Sequence, residues 1–188
     1  PCSSPTGDWS MTSTNRPRQA PPKSVHAAFL AACRDQTVED FCAKSKEAGR
    51  FSVGDSDNHC AHFVSHALGF RFGALCLSEK YFGAEGRSMR VDEIFTWCPD
   101  RGPWASRPKT LDPCLIFATL KNNVMTPKKG LVEMGQSRFK HVGIWLKGAA
   151  WNYHNGRTGP EGVVEDGEHF FLNLYGPNTV CFYGSFPA

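Results

Sequence analysis

Early in the chain the apolar residues recur every three or four positions; later they alternate or run together. That change of period predicts helices first and strands afterwards, the order of an α+β domain. SVHAAFLAAC, residues 24–33, reads as a helix. Thr37 opens a second, since it can cap with Asp40 three positions on, and Val38, Phe41 and Cys42 form its apolar stripe. Gly49 is its expected stop. After the turn-forming run Gly54 to Asn58, positions His59 to Leu68 are helical again, ending at Gly69. Phe63, Val64, Ala67 and Leu68 give that helix a stripe to bury.

Residues 71–110 lack a regular period, apart from a short helical stretch near MRVDEIFTWC, 89–98. CLIFATL, 114–120, fits a buried strand, and KHVGIWLKGAAWNYHN, 140–155, alternates as a hairpin does. GVVEDG and HFFLNLYGPNTVCFYGSF read as further short strands. Residues 1–23 are rich in Pro, Ser, Thr and Asn without an apolar period, and are expected to form a flexible arm. The remainder, 24–188, is expected to be one domain with an insertion at about 71–110. There is no internal repeat.

Composition narrows the function classes. Lys and Arg number 21 against 18 Asp and Glu, and the excess is scattered; a nucleic-acid surface would need a concentrated basic stripe. No apolar run approaches the roughly 18 to 20 residues of a membrane span. The N-terminal stretch lacks the charged-then-apolar layout of a signal peptide, so either a cytosolic protein, a removed leader or another export route is expected. Eight cysteines are many for a cytosolic protein, yet too few for a disulfide-dense one. With Cys60 a free thiol, at most three bridges can form; Cys76, Cys98 and Cys114 stand where a staple would help most, and buried free thiols are the competing expectation.

Candidate chemistry concentrates in DSDNHCAHFVSHALGF, residues 55–70. With Asn58 as N-cap, Cys60 falls in the first helical turn, where backbone N–H groups and the helix dipole favour a thiolate. A thiolate nucleophile needs a base and a group to orient it. If Lys147 and Gly148 are a two-residue turn, Leu146 pairs with Ala149, and counting back pairs His141 with His154. His141, Gly143, Asn152 and His154 then share one face, and Val142, Ile144, Trp151 and Tyr153 the other, toward a core. A three-residue turn would pair His141 with Asn155 instead. The plain alternative is a hairpin with its polar residues on a wet side.

In this order the segments resemble NlpC/P60-type cysteine peptidases. HCAHFVSHAL is similar to their nucleophile helix and HVGIWL to their histidine strand. WNYHN sits where their third polar residue follows, and LDPCLIFATL where a strand precedes the histidine. The resemblance, over about residues 50 to 156, implies a papain-like α+β fold with N-terminal helices packed on an antiparallel sheet. It implies hydrolysis of peptide bonds in peptidoglycan, with Cys60 as nucleophile, His141 as general base and His154 as orienter, Asn152 and Asn155 being the alternatives for that third place. The Cys60 amide would help hold the oxyanion. No cofactor is implied. His59 and Ala61 stand where the family usually has an acidic residue and a serine. The chain also resembles type VI secretion amidase effectors, which implies secretion, action in a rival's periplasm or cell wall, and a small immunity protein as partner.

Three other readings use the same residues. His59, Cys60, His62 and His66 could bind zinc, His62 and His66 being spaced i, i+4; no CxxC pair or metalloprotease glutamate accompanies them, so surface histidines, and no metal, are the expectation. A non-catalytic cell-wall binding module would lack one of the three catalytic positions, and all are filled. An acyltransferase or thioesterase could use the same Cys–His pair. HCAHFV is similar to the cysteine motif of the lecithin retinol acyltransferase group, but there the histidine precedes the cysteine.

Overall fold

In the computed structural model, residues 25–42, 59–76, 87–126, 130–156 and 160–187 are described. The expected arm at 1–23, the Gly49 stop and the Asn58 cap lie outside them. Helix α1 spans Ala27–Ala32 and α2 spans Val38–Phe41. Thr37 caps α2 as expected: its backbone N–H donates to the Asp40 carboxylate at 2.8 Å. Helix α3 spans His59–Leu68, and its stripe of Phe63, Val64, Ala67 and Leu68 is buried. Helix α4 spans Val91–Trp97 within the expected stretch.

Strand β1, Arg101–Pro103, lies inside the irregular region and joins the main sheet at its edge. It is followed by β2 (Cys114–Leu120), β3 (Val124–Met125), β4 (Glu133–Met134), β5 (Lys140–Leu146), β6 (Ala149–His154) and β7 (Gly162–Asp166). Helix α5 (Glu168–Asn173) and strand β8 (Thr179–Gly184) complete the order. The described residues are thus α+β. Their main sheet has six strands in the order β1-β8-β2-β5-β6-β7, every pair antiparallel.

The first half of HFFLNLYGPNTVCFYGSF departs from the expected strand. Phe170, Phe171 and Leu174 have helical as well as strand spacing, and Gly167 starts α5 where the apolar side chains can cover one face of the sheet. The sheet is therefore covered on both sides. Helix α3 packs on β5 and β6, sharing a core with Val142, Ile144, Trp151 and Tyr153. On the opposite face α5 packs on β2 and β8, and Phe171 joins Ile116, Ala118, Trp145 and Ala150.

The Lys147–Gly148 turn forms as the alternation predicts. Both residues have positive φ, 51° and 89°, as the tight hairpin turn requires, and Leu146 pairs with Ala149. The ladder between β5 and β6 runs only to Ile144 opposite Trp151. His141 and His154 therefore lie beyond the paired stretch of the two strands, not opposite one another within it.

Candidate active site

Cys60 stands in the first turn of α3 and is buried, 4% exposed. The thiol is not lowered, as its place at a helix start predicts. Burial pushes it up to about 11, against the pull of the Val142, Ala61 and Cys60 backbone amides and of the Lys140 charge. Desolvation of the anion outweighs the helix terminus here. The sulfur lies against the amide of Val142, the residue after His141. Among the described residues no hydrogen bond joins Cys60 to His141. Such bonds often tighten only when substrate is bound.

His141 has a defined partner. Its Nε2 lies 2.7 Å from Asn152 Oδ1, and Asn152 Nδ2 donates to Asp166 Oδ2 at 2.8 Å. A carboxylate only accepts, so the Asn152 NH2 must face Asp166 and its carbonyl must face His141. The His141 proton then sits on Nε2, and Nδ1 keeps its lone pair. Burial lowers the pKa of His141, opposed by the Asn152 hydrogen bond and the Asp166 charge. It is a neutral base of fixed tautomer.

His154 takes a different place from the orienting one. Its Nε2 donates to the same Asp166 oxygen at 2.8 Å, and its ring stacks on Phe170, with centroids 4.7 Å apart. Asn152, the alternative, is what holds His141; Asn155 is not in this chain of bonds. Nor is this face a wet one: Asn152 is fully buried, and the His141 ring lies 5.3 Å from that of Phe171. Gly143 makes the close packing possible, since a Cβ there would meet Phe171 Cζ at 2.8 Å and Asn152 Cβ at 3.2 Å.

Three groups escaped the sequence reading. Asp166 ends the GVVEDG strand and could be suspected only once β7 was known to lie beside β6. Lys140, next to His141, makes a buried ion pair with Asp92 of α4 at 2.6 Å and also reaches Gly135 O at 3.2 Å. This pair fixes the start of the histidine strand and places a cation near the thiol. Tyr175 follows α5; burial raises its hydroxyl pKa, and the charges that Cys60 and Cys181 could carry raise it further.

The described cysteines are all thiols, Cys76, Cys98 and Cys114 included, so the staple considered for that region is not formed among them. His62 and His66 also differ from the surface histidines expected: His62 is fully buried, and its Nε2 lies 3.0 Å from that of His66. Neither is grouped with His59 and Cys60; they lie with Cys42 and Cys76.

Comparisons with family models, with curated proteins and with solved structures find no match. The case for a function rests on the residues themselves. No helix among the described residues is long and apolar enough to cross a membrane.

Proposed function

We propose that the chain is a cysteine amidase that hydrolyses peptide bonds of bacterial peptidoglycan, with a papain-like NlpC/P60 fold. The observation that carries this reading is the relay His141–Asn152–Asp166, which leaves Nδ1 of a neutral imidazole as a base on the strand whose next amide lies against Cys60. A structural core has no need of a fixed tautomer, whereas a general base does.

In the proposed reaction the Cys60 proton passes to His141 Nδ1 as the sulfur attacks the amide carbonyl. The backbone N–H groups around the sulfur, those of Cys60 and Ala61, hold the oxyanion. The C–N bond breaks as His141 returns the proton to the departing amine. Water, deprotonated by the same nitrogen, then cleaves the thioester and restores the thiol. Asn152 orients the imidazole through Nε2, and His154 acts one step further out, on Asp166. No cofactor takes part.

The substrate, the bacterial wall, comes from the motif order of Cys60, His141 and Asn152 and its likeness to wall peptidases. The likeness to type VI effectors adds secretion, antibacterial action in the target's periplasm or wall, and a small immunity protein as partner. Digestion of purified sacculi by wild type, Cys60→Ala and His141→Ala, with the released fragments read by mass spectrometry, tests the reading. New stem or cross-link fragments from wild type alone are expected. Fragments from either variant at the wild-type rate would overturn the assignment. Silence from all three, with a thioester substrate turned over, would make the chain an acyltransferase or thioesterase.

A further inference from the structure

A second constellation lies on the other side of the sheet from His141. Cys42 caps the C-terminal end of α2, His62 and His66 stand one turn apart on α3, and Cys76 follows the segment after that helix. One ligating atom from each falls within 4.8 Å of all the others. Three of the four residues are buried and His66 is half-buried. We propose that Cys42, His62, His66 and Cys76 form a structural zinc site.

The donor set selects the metal. Two sulfurs and two imidazole nitrogens in a tetrahedral arrangement suit zinc, which prefers four such ligands. Two Zn–N bonds of about 2.0 Å at the tetrahedral angle separate the nitrogens by about 3.3 Å; here the two Nε2 atoms are 3.0 Å apart. Two Zn–S bonds of about 2.3 Å would set the sulfurs about 3.8 Å apart. The cluster therefore closes on an ion by side-chain shifts of about an ångström.

Charge and surroundings agree with the donor set. Binding Zn2+ releases one proton from each thiol, and two thiolates with two neutral imidazoles cancel the charge of the ion, so the filled site is neutral and burial costs little. The Arg87 backbone N–H donates to Cys76 Sγ at 3.3 Å, the kind of outer bond that steadies a metal-bound thiolate. The Phe41 ring lies 5.4 Å from that of His62 and 5.5 Å from that of His66, shielding the pair with apolar surface. With four protein ligands no position is left for water, so the ion would be structural. It would tie α2 and the Cys76 segment to the helix that carries Cys60, and this inference stands whether or not that thiol is catalytic.

The test is metal analysis of tag-free protein purified without chelator. About one zinc per chain is expected in wild type after gel filtration, and none in Cys76→Ser with His66→Ala. Apo protein titrated with cobalt should give the intense visible bands of a tetrahedral ion and the thiolate charge-transfer band of two sulfur ligands. Wild-type content and the cobalt spectrum read the site even where the variant fails to fold. Folded wild type that holds no zinc and gives an octahedral cobalt spectrum would overturn the proposal, as would a Cys42–Cys76 disulfide in unreduced peptide maps.

Discussion

Two pairs of histidines sit in this molecule among opposite kinds of neighbour. His141 and His154 are held by oxygen: an amide carbonyl takes the proton of one, and a carboxylate that of the other. His62 and His66 face one another across 3.0 Å, with the sulfurs of Cys42 and Cys76 close by. Oxygens that only accept decide where each ring proton sits and so prepare a base. Nitrogens and sulfurs gathered within 4.8 Å of one another can, once deprotonated, offer electrons to a cation. An imidazole's task is set by what surrounds it, and on the two proposals made above the same residue type would serve proton transfer in one place and metal holding in the other.

Breaking each pair separately should give the largest contrast. His141→Ala is expected to reduce turnover at least about a thousandfold while costing no more than about 1–2 kcal/mol of stability. Cys76→Ser, or chelation, should remove several kcal/mol and lower the melting temperature by more than about 10 °C. Calorimetry beside a fragment-release assay reads both. Equal loss of stability in the two variants would mean that the two pairs do not divide chemistry from structure.

Within the oxygen-held pair the expected effects are smaller and ordered. Asn152→Ala frees the His141 ring and should lower kcat/KM about 10- to 100-fold, the usual effect of losing a group that orients another. His154→Ala leaves the Asn152–Asp166 bond in place and should cost only a few-fold. The reverse order would make His154 the orienting residue, the role that the resemblance to the cysteine peptidases implies.

Much of this was legible in the sequence because it rests on local rules. The α3 stripe, the Thr37–Asp40 cap and the Lys147–Gly148 turn follow from spacing and turn chemistry within a few residues. Alternation alone placed His141 and Asn152 on one face. The illegible parts depend on distant segments. Helix α5 was hidden because a short apolar run has no decisive period, and only the exposed face of the sheet selects the helix. Asp166 and the Cys42–Cys76 pairing arise from chain reversals that no local pattern announces. The Cys60 thiol misled for a related reason: its helix start is local, but the burial that outweighs it is tertiary.

Gly143 tests how tightly the oxygen-held site is packed. An added methyl would meet Phe171 Cζ at 2.8 Å, the Trp151 carbonyl at 3.0 Å and Asn152 Cβ at 3.2 Å. Gly143→Ala should therefore cost about 1–3 kcal/mol by overpacking and shift Asn152 off His141. Its zinc content should be unchanged, since the atoms nearest the added methyl belong to Phe171, Trp151 and Asn152 and not to the four ligands. Denaturant melts and metal analysis check this; a fully stable, fully active variant would mean that α5 yields and that the packing does not hold the relay.

The smallest expected effect is one of pH, and its sign follows from burial. Burial lowers the pKa of His141, so the neutral base persists below the ordinary histidine value of about 6.5. The acid limb of kcat/KM should accordingly fall below that value. Asn152→Asp places a carboxylate at Nε2, which favours the charged imidazole, and should move the limb upward. Stability follows the same group. An unfolded chain takes up the proton first, so the contribution of His141 is complete above about pH 6.5 and is lost as the pH falls toward its lowered value in the fold. A limb unmoved by Asn152→Asp would show that another group controls it, and His141 would lose the role of base while the packing around it stood unchanged.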